Sequence, residues 1–192
     1  KELLERHLPE IPARVLDVGG GPGAYAMWLA EQGYEVTLID PVPIHASEAA
    51  ERSARSAHPF SAALGDARDL EQADGTFDVV LLFGPLYHLP DRGERRRALS
   101  EATRVVGPGG IVAVAAISRF ASILDGMVNG YLSDPTFRGI VEEDLRAGIH
   151  RNPTGNTEYF TTAYFHHPDE LTAEVVEAGL VVDALYGIEG PG

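Results

Sequence analysis

The residues best suited to chemistry stand near the start of the chain, where Asp17-Val18-Gly19-Gly20-Gly21-Pro22-Gly23 joins an apolar run to a helical one. A strand that ends in glycines and leads into a helix turns backbone N–H groups toward a ligand. Glycine is needed there because a Cβ would block both the tight turn and the ligand's approach. Read from Gly19, the spacing is Gly-x-Gly-x-Gly, but Gly19, Gly21 and Ala24 also fit the dinucleotide pattern Gly-x-Gly-x-x-Gly/Ala. The loop alone therefore leaves two nucleotide-like cofactors open.

Further residues separate them. Asp40 closes the second apolar run, where a carboxylate can accept both hydroxyls of a ribose; a helix cap or Asp-Pro turn is its structural alternative. Asp17 lies two residues before Gly19. A carboxylate there would repel a pyrophosphate, and it suits a cofactor that carries an ammonium and a sulfonium. Asp66-Ala67 follows the third strand, where a side chain can accept from an adenine amino group. Phe77-Asp78-Val79-Val80 opens a fourth strand that runs into Phe83-Gly84-Pro85-Leu86-Tyr87-His88-Leu89.

With these features in this order, residues 12–118 resemble the class I, Rossmann-like S-adenosylmethionine (SAM)-dependent methyltransferases. The resemblance implies that Asp17, Gly19, Gly21 and Gly23 hold the methionine end of SAM. It assigns the ribose to Asp40, the adenine to Asp66 and the Ala67 backbone, and the methyl-transfer side to backbone groups at Phe83 and Gly84. S-adenosyl-L-methionine is then the cofactor and S-adenosyl-L-homocysteine the product.

The elements needed to position these residues are legible as alternating apolar runs and helical patterns, the signature of a parallel α/β sheet. Strands are expected at 14–18, 34–39, 60–64, 77–83 and 111–117, with helices at 24–32, 44–57 and 92–106. Pro108-Gly109-Gly110 is expected to break the chain before the fifth strand. Two helices broken near Ser133-Asp134-Pro135 fill 120–151, a stretch longer than a connection requires and suited to a lid or substrate wall. An extended piece at 159–165, a helix from Pro168 with His167 as its cap, and a sixth strand at 180–186 complete the pattern. The predicted fold is a three-layer α/β sandwich with a mainly parallel twisted sheet. It is one domain over 1–192, with 119–156 as a helical lid and an incomplete C-terminal strand hairpin. A seven-stranded sheet is usual in the resembled family, so the chain reads as part of a longer protein. Its last residues, Gly190-Pro191-Gly192, look turn-like.

Composition removes several chemistries. The chain has 192 residues, a formal charge of −14 and no cysteine. Disulfides, thiolate metal sites and a cysteine nucleophile are excluded. Lys1 is the only lysine, which argues against Schiff-base chemistry. The acidic balance argues against nucleic acid as a partner. The cluster from Arg92 to Arg97 reads as the solvated face of a helix, with a local basic patch as the alternative. No apolar stretch is long enough to span a bilayer. A cytoplasmic monomer or homodimer acting on a small molecule is the expectation.

The sulfonium of SAM already activates the methyl group, so in-line displacement by an acceptor asks the protein mainly for alignment and exclusion of water. A hydroxyl acceptor benefits from a general base, and His88 is the candidate by position and ordinary pKa. Tyr87 beside it suits substrate positioning; simple packing of the loop is the alternative for both. Tyr164, with Tyr159, Phe160 and Phe165, either walls a substrate pocket or belongs to a core. His166 and His167 alternate in direction along an extended segment and lack accompanying carboxylates, so no metal site is expected. Two other functions compete: a non-catalytic SAM-binding protein, and an NAD-dependent oxidoreductase. The second lacks a Tyr-x-x-x-Lys pair. Gly84-Pro85-Leu86-Tyr87 stands where methylation of a flipped base amino group would call for Asn/Asp-Pro-Pro-Tyr/Phe.

Overall fold

The computed structural model describes residues 1–188, so the expected turn at 190–192 lies outside the described residues. A short helix α1 (Glu2–Glu5) precedes β1 (Arg14–Val18), α2 (Ala24–Glu31), β2 (Glu35–Asp40), α3 (Pro43–Ala54) and β3 (Ser61–Leu64). Then come β4 (Phe77–Leu82), the one-turn α4 (Pro85–His88), α5 (Arg92–Val105) and β5 (Val106–Val114). The chain continues through β6 (Ile117–Ser118), α6 (Ala121–Asn129), α7 (Pro135–Ala147), β7 (Ile149–His150), β8 (Ala163–His166) and α8 (Pro168–Glu177). No helix among the described residues is long and apolar enough to cross a membrane.

The main sheet is parallel throughout, in the order β3-β2-β1-β4-β5. Its strands read as nearly continuous apolar runs because both faces are covered, as parallel sheets require. Along β1 and β4 the side chains divide by parity. Val15, Val79 and Leu81 pack with Ala26, Leu29 and Ala49 of α2 and α3. Leu16, Val18, Val80 and Leu82 pack with Leu86, Ala98, Leu99, Ala102 and Val105 on the other face, where Leu171 and Val175 of α8 close the layer. The sandwich has the three layers expected.

Two strand expectations need correction. Pro108-Gly109-Gly110 lies inside β5 instead of breaking the chain before it. Val106 pairs with Phe77 and Ile111 with Val79, so the register shifts between them. Gly109 has φ 79, and a Cβ on Gly110 would lie 2.8 Å from the Asp78 carbonyl oxygen, so glycine permits the irregularity. The strand ends at Val114, and Ile117–Ser118 leaves the sheet to pair with β8. The second correction concerns 180–186, where no strand forms. Among the described residues its apolar side chains have no neighbouring strand to face; Val181 is 92% exposed, and Tyr186 Oη meets His7 Nε2 at 3.0 Å. Alternating hydrophobicity specifies a strand only where a ladder partner stands beside it.

Helices α6 and α7 form where the sequence places them and carry their own small core of Phe137, Ile140, Val141 and Tyr159. Asp134 caps α7 by accepting from Thr136 N at 2.8 Å. A buried trio fastens this unit: Asp144 Oδ2 accepts from Ser122 Oγ and lies 2.8 Å from His150 Nδ1, while His150 Nε2 lies 2.7 Å from the Tyr159 carbonyl oxygen. Both His150 partners are acceptors. Burial alone would lower the pKa of this histidine, but the Asp144 and Tyr159 hydrogen bonds outweigh it and raise it. A three-stranded sheet, β6-β8-β7, joins the unit to the main body, and β8 packs against α4.

Candidate functional site

Strand order places the site. From β1 the chain moves outward to β2 and β3, then returns to β4 on the other side of β1, so the strand order switches between β1 and β4. Sheets of this kind bind ligands in the crevice at the carboxyl ends of such strands. The two loops that follow these strands touch. A Cβ on Gly84 would lie 3.2 Å from the Gly19 carbonyl oxygen, and one on Gly19 would lie 3.0 Å from the Pro85 ring. Glycine at both positions lets the loops form a continuous floor.

The glycine loop is built as its sequence demands. Gly19, Gly21 and Gly23 have φ of 69, 55 and 87, the left-handed region where a side chain is strained. Gly19 N donates to the Ile39 carbonyl at 2.8 Å, and Gly23 N to that of Gly20 at 3.1 Å, which folds the loop over the end of β2. Gly21 is different: a Cβ there would enter open space. Its backbone therefore forms the exposed lip of the crevice.

Asp40 is buried beside this lip. Its Oδ2 accepts from Gly21 N at 2.9 Å, and its Oδ1 accepts from Val42 N at 2.9 Å and lies 3.2 Å from His45 Nδ1. Both roles weighed for Asp40 meet here, because the carboxylate that caps its own turn also stands at the open end of the loop. His45 was not singled out by the sequence, and nothing in its local spacing marks it. Asp17 lies beneath the loop, almost fully buried, with Oδ2 unpartnered. A Cβ on Gly20 would come within 2.6 Å of that oxygen, so the carboxylate is pressed against the underside of the glycines. Burial pushes its pKa up to about 7; the Ala26 backbone amide opposes the rise and the Asp40 charge adds to it.

At the third strand, the Asp66 carboxylate is gripped by Arg68, whose Nε and Nη2 donate to it at 2.9 and 2.6 Å. These hydrogen bonds hold the Asp66 carboxyl below the usual carboxylate range against a smaller effect of burial. Ala67 is buried in the layer of α5. Phe83 packs its ring edge-on to Tyr25 at 4.9 Å between centroids, which fixes the backbone at the end of β4.

The segment 84–89, expected as a loop, contains the single helical turn α4, with Pro85 at its start where a missing N–H costs nothing. Tyr87 and His88 stand on this turn with ring centroids 4.7 Å apart. A Cβ on Gly84 would lie 3.9 Å from the Tyr87 hydroxyl, so this phenol reaches back to the junction of the two loops. Desolvation raises the Tyr87 pKa and keeps it a donor. Desolvation lowers the pKa of His88, with the Asp40 charge pulling the other way.

The C-terminal aromatics separate. Tyr159 and Phe165 are buried, the first with its hydroxyl donating to Asp134 Oδ2 at 2.8 Å and the second stacked on His150. Tyr164 has its ring 3.6 Å from the Arg95 guanidinium carbon, and its hydroxyl lies 3.3 Å from both Glu170 and Arg119. Its polar end is thus engaged by an ion network instead of being presented free to a substrate. Phe160 alone stays exposed, at 45%, on a backbone with φ 63. His166 points inward and is buried, whereas His167 caps α8 in a capping box with Glu170.

The residues least visible from sequence are Arg95 and Glu174. The Arg92–Arg97 run looked solvated, and Arg92 and Arg96 are indeed exposed, but Arg95 is 1% exposed. A signal existed: Arg95 precedes Ala98, Leu99, Ala102 and Val105 at helical spacing, on the buried stripe.

Comparison with known proteins agrees with this geometry. Residues 15–110 match the family described as "Methyltransferase domain". Over 170 residues, 88% of this chain and 55% of the relative, it is 31% identical to a malonyl-[acyl-carrier protein] O-methyltransferase of Geobacter sulfurreducens. It is 31% identical to the methyltransferase GfsG of Streptomyces halstedii over 75% of this chain and 53% of that protein. The chain spans about half the length of these curated relatives. A crystal structure of a SAM-dependent methyltransferase from Methanosarcina mazei superimposes with a TM-score of 0.73 at 25% identity, covering 93% of this chain and 84% of that one.

Proposed function

Because the chain belongs to the class I, Rossmann-like SAM-dependent methyltransferases, we propose that it moves the methyl group of SAM to a small-molecule acceptor by in-line displacement. The observation that carries the reading is the junction of the loops that follow β1 and β4. There the open lip at Gly21, the buried Asp17 and Asp40, and the Tyr87-His88 turn converge. When bound, SAM supplies a methyl group already activated by its sulfonium.

In this proposal Gly19, Gly21 and Gly23 give a backbone cradle to the methionine end, and Asp40 accepts from the ribose. Asp66 and the Ala67 backbone flank the adenine, and the Phe83 and Gly84 backbone lines the side of transfer. The open space at Gly21 and the unpartnered Asp17 Oδ2 both fit a cationic ligand laid over the loop. Tyr87 donates to the acceptor and His88 takes its proton. Residues 119–156 form the lid of the single domain, and Tyr164 acts on the substrate side indirectly, by bracing β8. Calorimetric titration with S-adenosylhomocysteine tests the cofactor half, and absence of binding by the pure protein would sink it. Transfer of labelled methyl to an acceptor panel tests the other half; no transfer to any acceptor leaves a binding protein in its place.

The acceptor named for the Geobacter relative is a carrier-bound malonyl group, and its similarity over most of this chain puts carrier-bound acyl carboxylates first in that panel. His88→Ala distinguishes acceptor types. With a hydroxyl acceptor, the turnover number is expected to fall about 100-fold with SAM binding unchanged. With a carboxylate, already ionised at pH 7, the same variant is expected to turn over like the unaltered protein.

Asp17 predicts a pH dependence. Its pKa of about 7 means that a fraction of the protein holds it protonated at neutral pH. A cation above the loop favours the carboxylate, so Asp17 is expected to release its proton as SAM binds. Affinity should therefore rise as pH passes from about 6 to 8. Calorimetry in buffers of differing ionisation heat reads the proton directly. Asp17→Asn should abolish both the release and the slope, and an unchanged slope in that variant counts against the assignment.

A further inference from the structure

The turn that carries Tyr87 and His88 is too short to hold itself. Helix α4 has four residues, and Leu89 N donates to the Leu86 carbonyl at a long 3.4 Å. A single turn is unstable in water, so its position must be imposed by its surroundings. Leu86, fully buried, anchors one end. At the other end the chain meets Arg95, whose Nη1 donates to the carbonyls of Leu89 at 3.0 Å and Pro90 at 2.8 Å. Those are the two residues directly after His88.

The rest of the guanidinium is fixed just as closely. Its Nε and Nη2 donate to the two oxygens of Glu174 at 2.9 and 2.6 Å, and its face lies on the Tyr164 ring. His166, also buried, stands 3.5 Å from Glu174 Oε2. An ion pair kept for stability alone has no need of the loop carbonyls, since apolar side chains fill such a space as well or better. A planar fork that serves a carboxylate on one edge and two carbonyls at its other end is a task only arginine performs.

We propose that Arg95 is a positioning residue that fixes the Tyr87-His88 turn from behind, with Glu174 and Tyr164 orienting its guanidinium. The proposal builds on the acceptor-side reading of Tyr87 and His88 given above. Through Arg95, the placement of the turn is coupled to α8 and to β8, which packs against α4.

The test uses the full chain and needs no acceptor. Arg95→Met combined with Glu174→Leu replaces the buried pair by apolar side chains and leaves the Leu89 and Pro90 carbonyls unheld. The double variant is expected to fold and to bind S-adenosylhomocysteine with the affinity of the unaltered protein. In the same variant the NMR titration of the His88 imidazole, assigned against His88→Ala, is expected to move up toward the ordinary value of about 6.5 as the loosened turn becomes hydrated. Arg95→Lys keeps the charge beside Glu174 but cannot reach both carbonyls, and it should show part of the same movement. A His88 titration unchanged in the folded double variant overturns the proposal. Should the double variant fail to fold, an unchanged titration in Arg95→Lys overturns it instead. Full methyl transfer by His88→Ala to a hydroxyl acceptor would remove the base role of His88, and it would leave these titrations as they are, so the two ideas fail separately.

Discussion

Glu174→Leu alone is expected to destabilise the protein by about 3–5 kcal/mol, the usual effect of leaving a buried charge without its partner. Arg95 is 1% exposed, so water cannot take the place of the carboxylate. For a chain of this size the loss corresponds to a fall in melting temperature of roughly 10 °C. Glu177→Leu is the control, since Glu177 pairs with Arg92 and Arg96 at the surface and exposed pairs contribute about 0–1 kcal/mol. Equal melting temperatures for the two variants would contradict the assignment of Arg95–Glu174 as a buried unit. Acid should not disrupt the pair easily. Burial pushes the Glu174 pKa up, but the hydrogen bonds and charge of Arg95, with His166 3.5 Å away, outweigh it and hold it at about 2. A depressed carboxyl pKa contributes stability that is fully present above the ordinary value of 4.5 and is lost progressively as pH falls from there through about 2.

Gly21→Ala is expected to weaken SAM and S-adenosylhomocysteine binding by roughly 10- to 100-fold, as an extra methyl in a filled site costs about 1–3 kcal/mol. Because a Cβ at Gly21 meets no protein atom, the fold should lose only the roughly 1 kcal/mol of a side chain held in the left-handed region. Gly19→Ala provides the contrast. Its Cβ would press on Pro85 at 3.0 Å, so that variant should disturb the seam between the β1 and β4 loops and lose stability as well as affinity. Calorimetry and thermal unfolding on the two variants separate the effects. Undiminished binding in Gly21→Ala would show that the cofactor does not cross this lip.

Much of this architecture was legible because parallel strands covered on both faces leave a strong imprint. Val79 to Leu82 are apolar without interruption because alternate members fill two different cores. The glycine loop was equally legible, since left-handed backbone at Gly19, Gly21 and Gly23 admits almost nothing else. What sequence pattern missed depends on contacts between distant segments. The apolar residues at 180–186 resemble a strand but pair with no strand among the described residues. Gly109 and Gly110 look like a stop signal and instead accommodate a register shift within β5. Asp17 was placed as a neighbour of the ligand, and the structure buries it under the loop, with Oδ2 against Gly20. Arg95 sat on a buried stripe in plain view, yet an arginine among arginines carries no local sign of its partner, which lies 79 residues away.

That separation also sets an order in time. The strands β1 to β5 and the helices between them are complete by residue 114, so a growing chain can assemble the main sheet while the residues that follow are still being synthesised. The carboxylate that Arg95 needs emerges only with α8, long after the turn bearing His88 has been made. On the proposed reading, a nascent chain thus acquires the cofactor side of its site first, and the Tyr87-His88 turn is fixed only once α8 has docked.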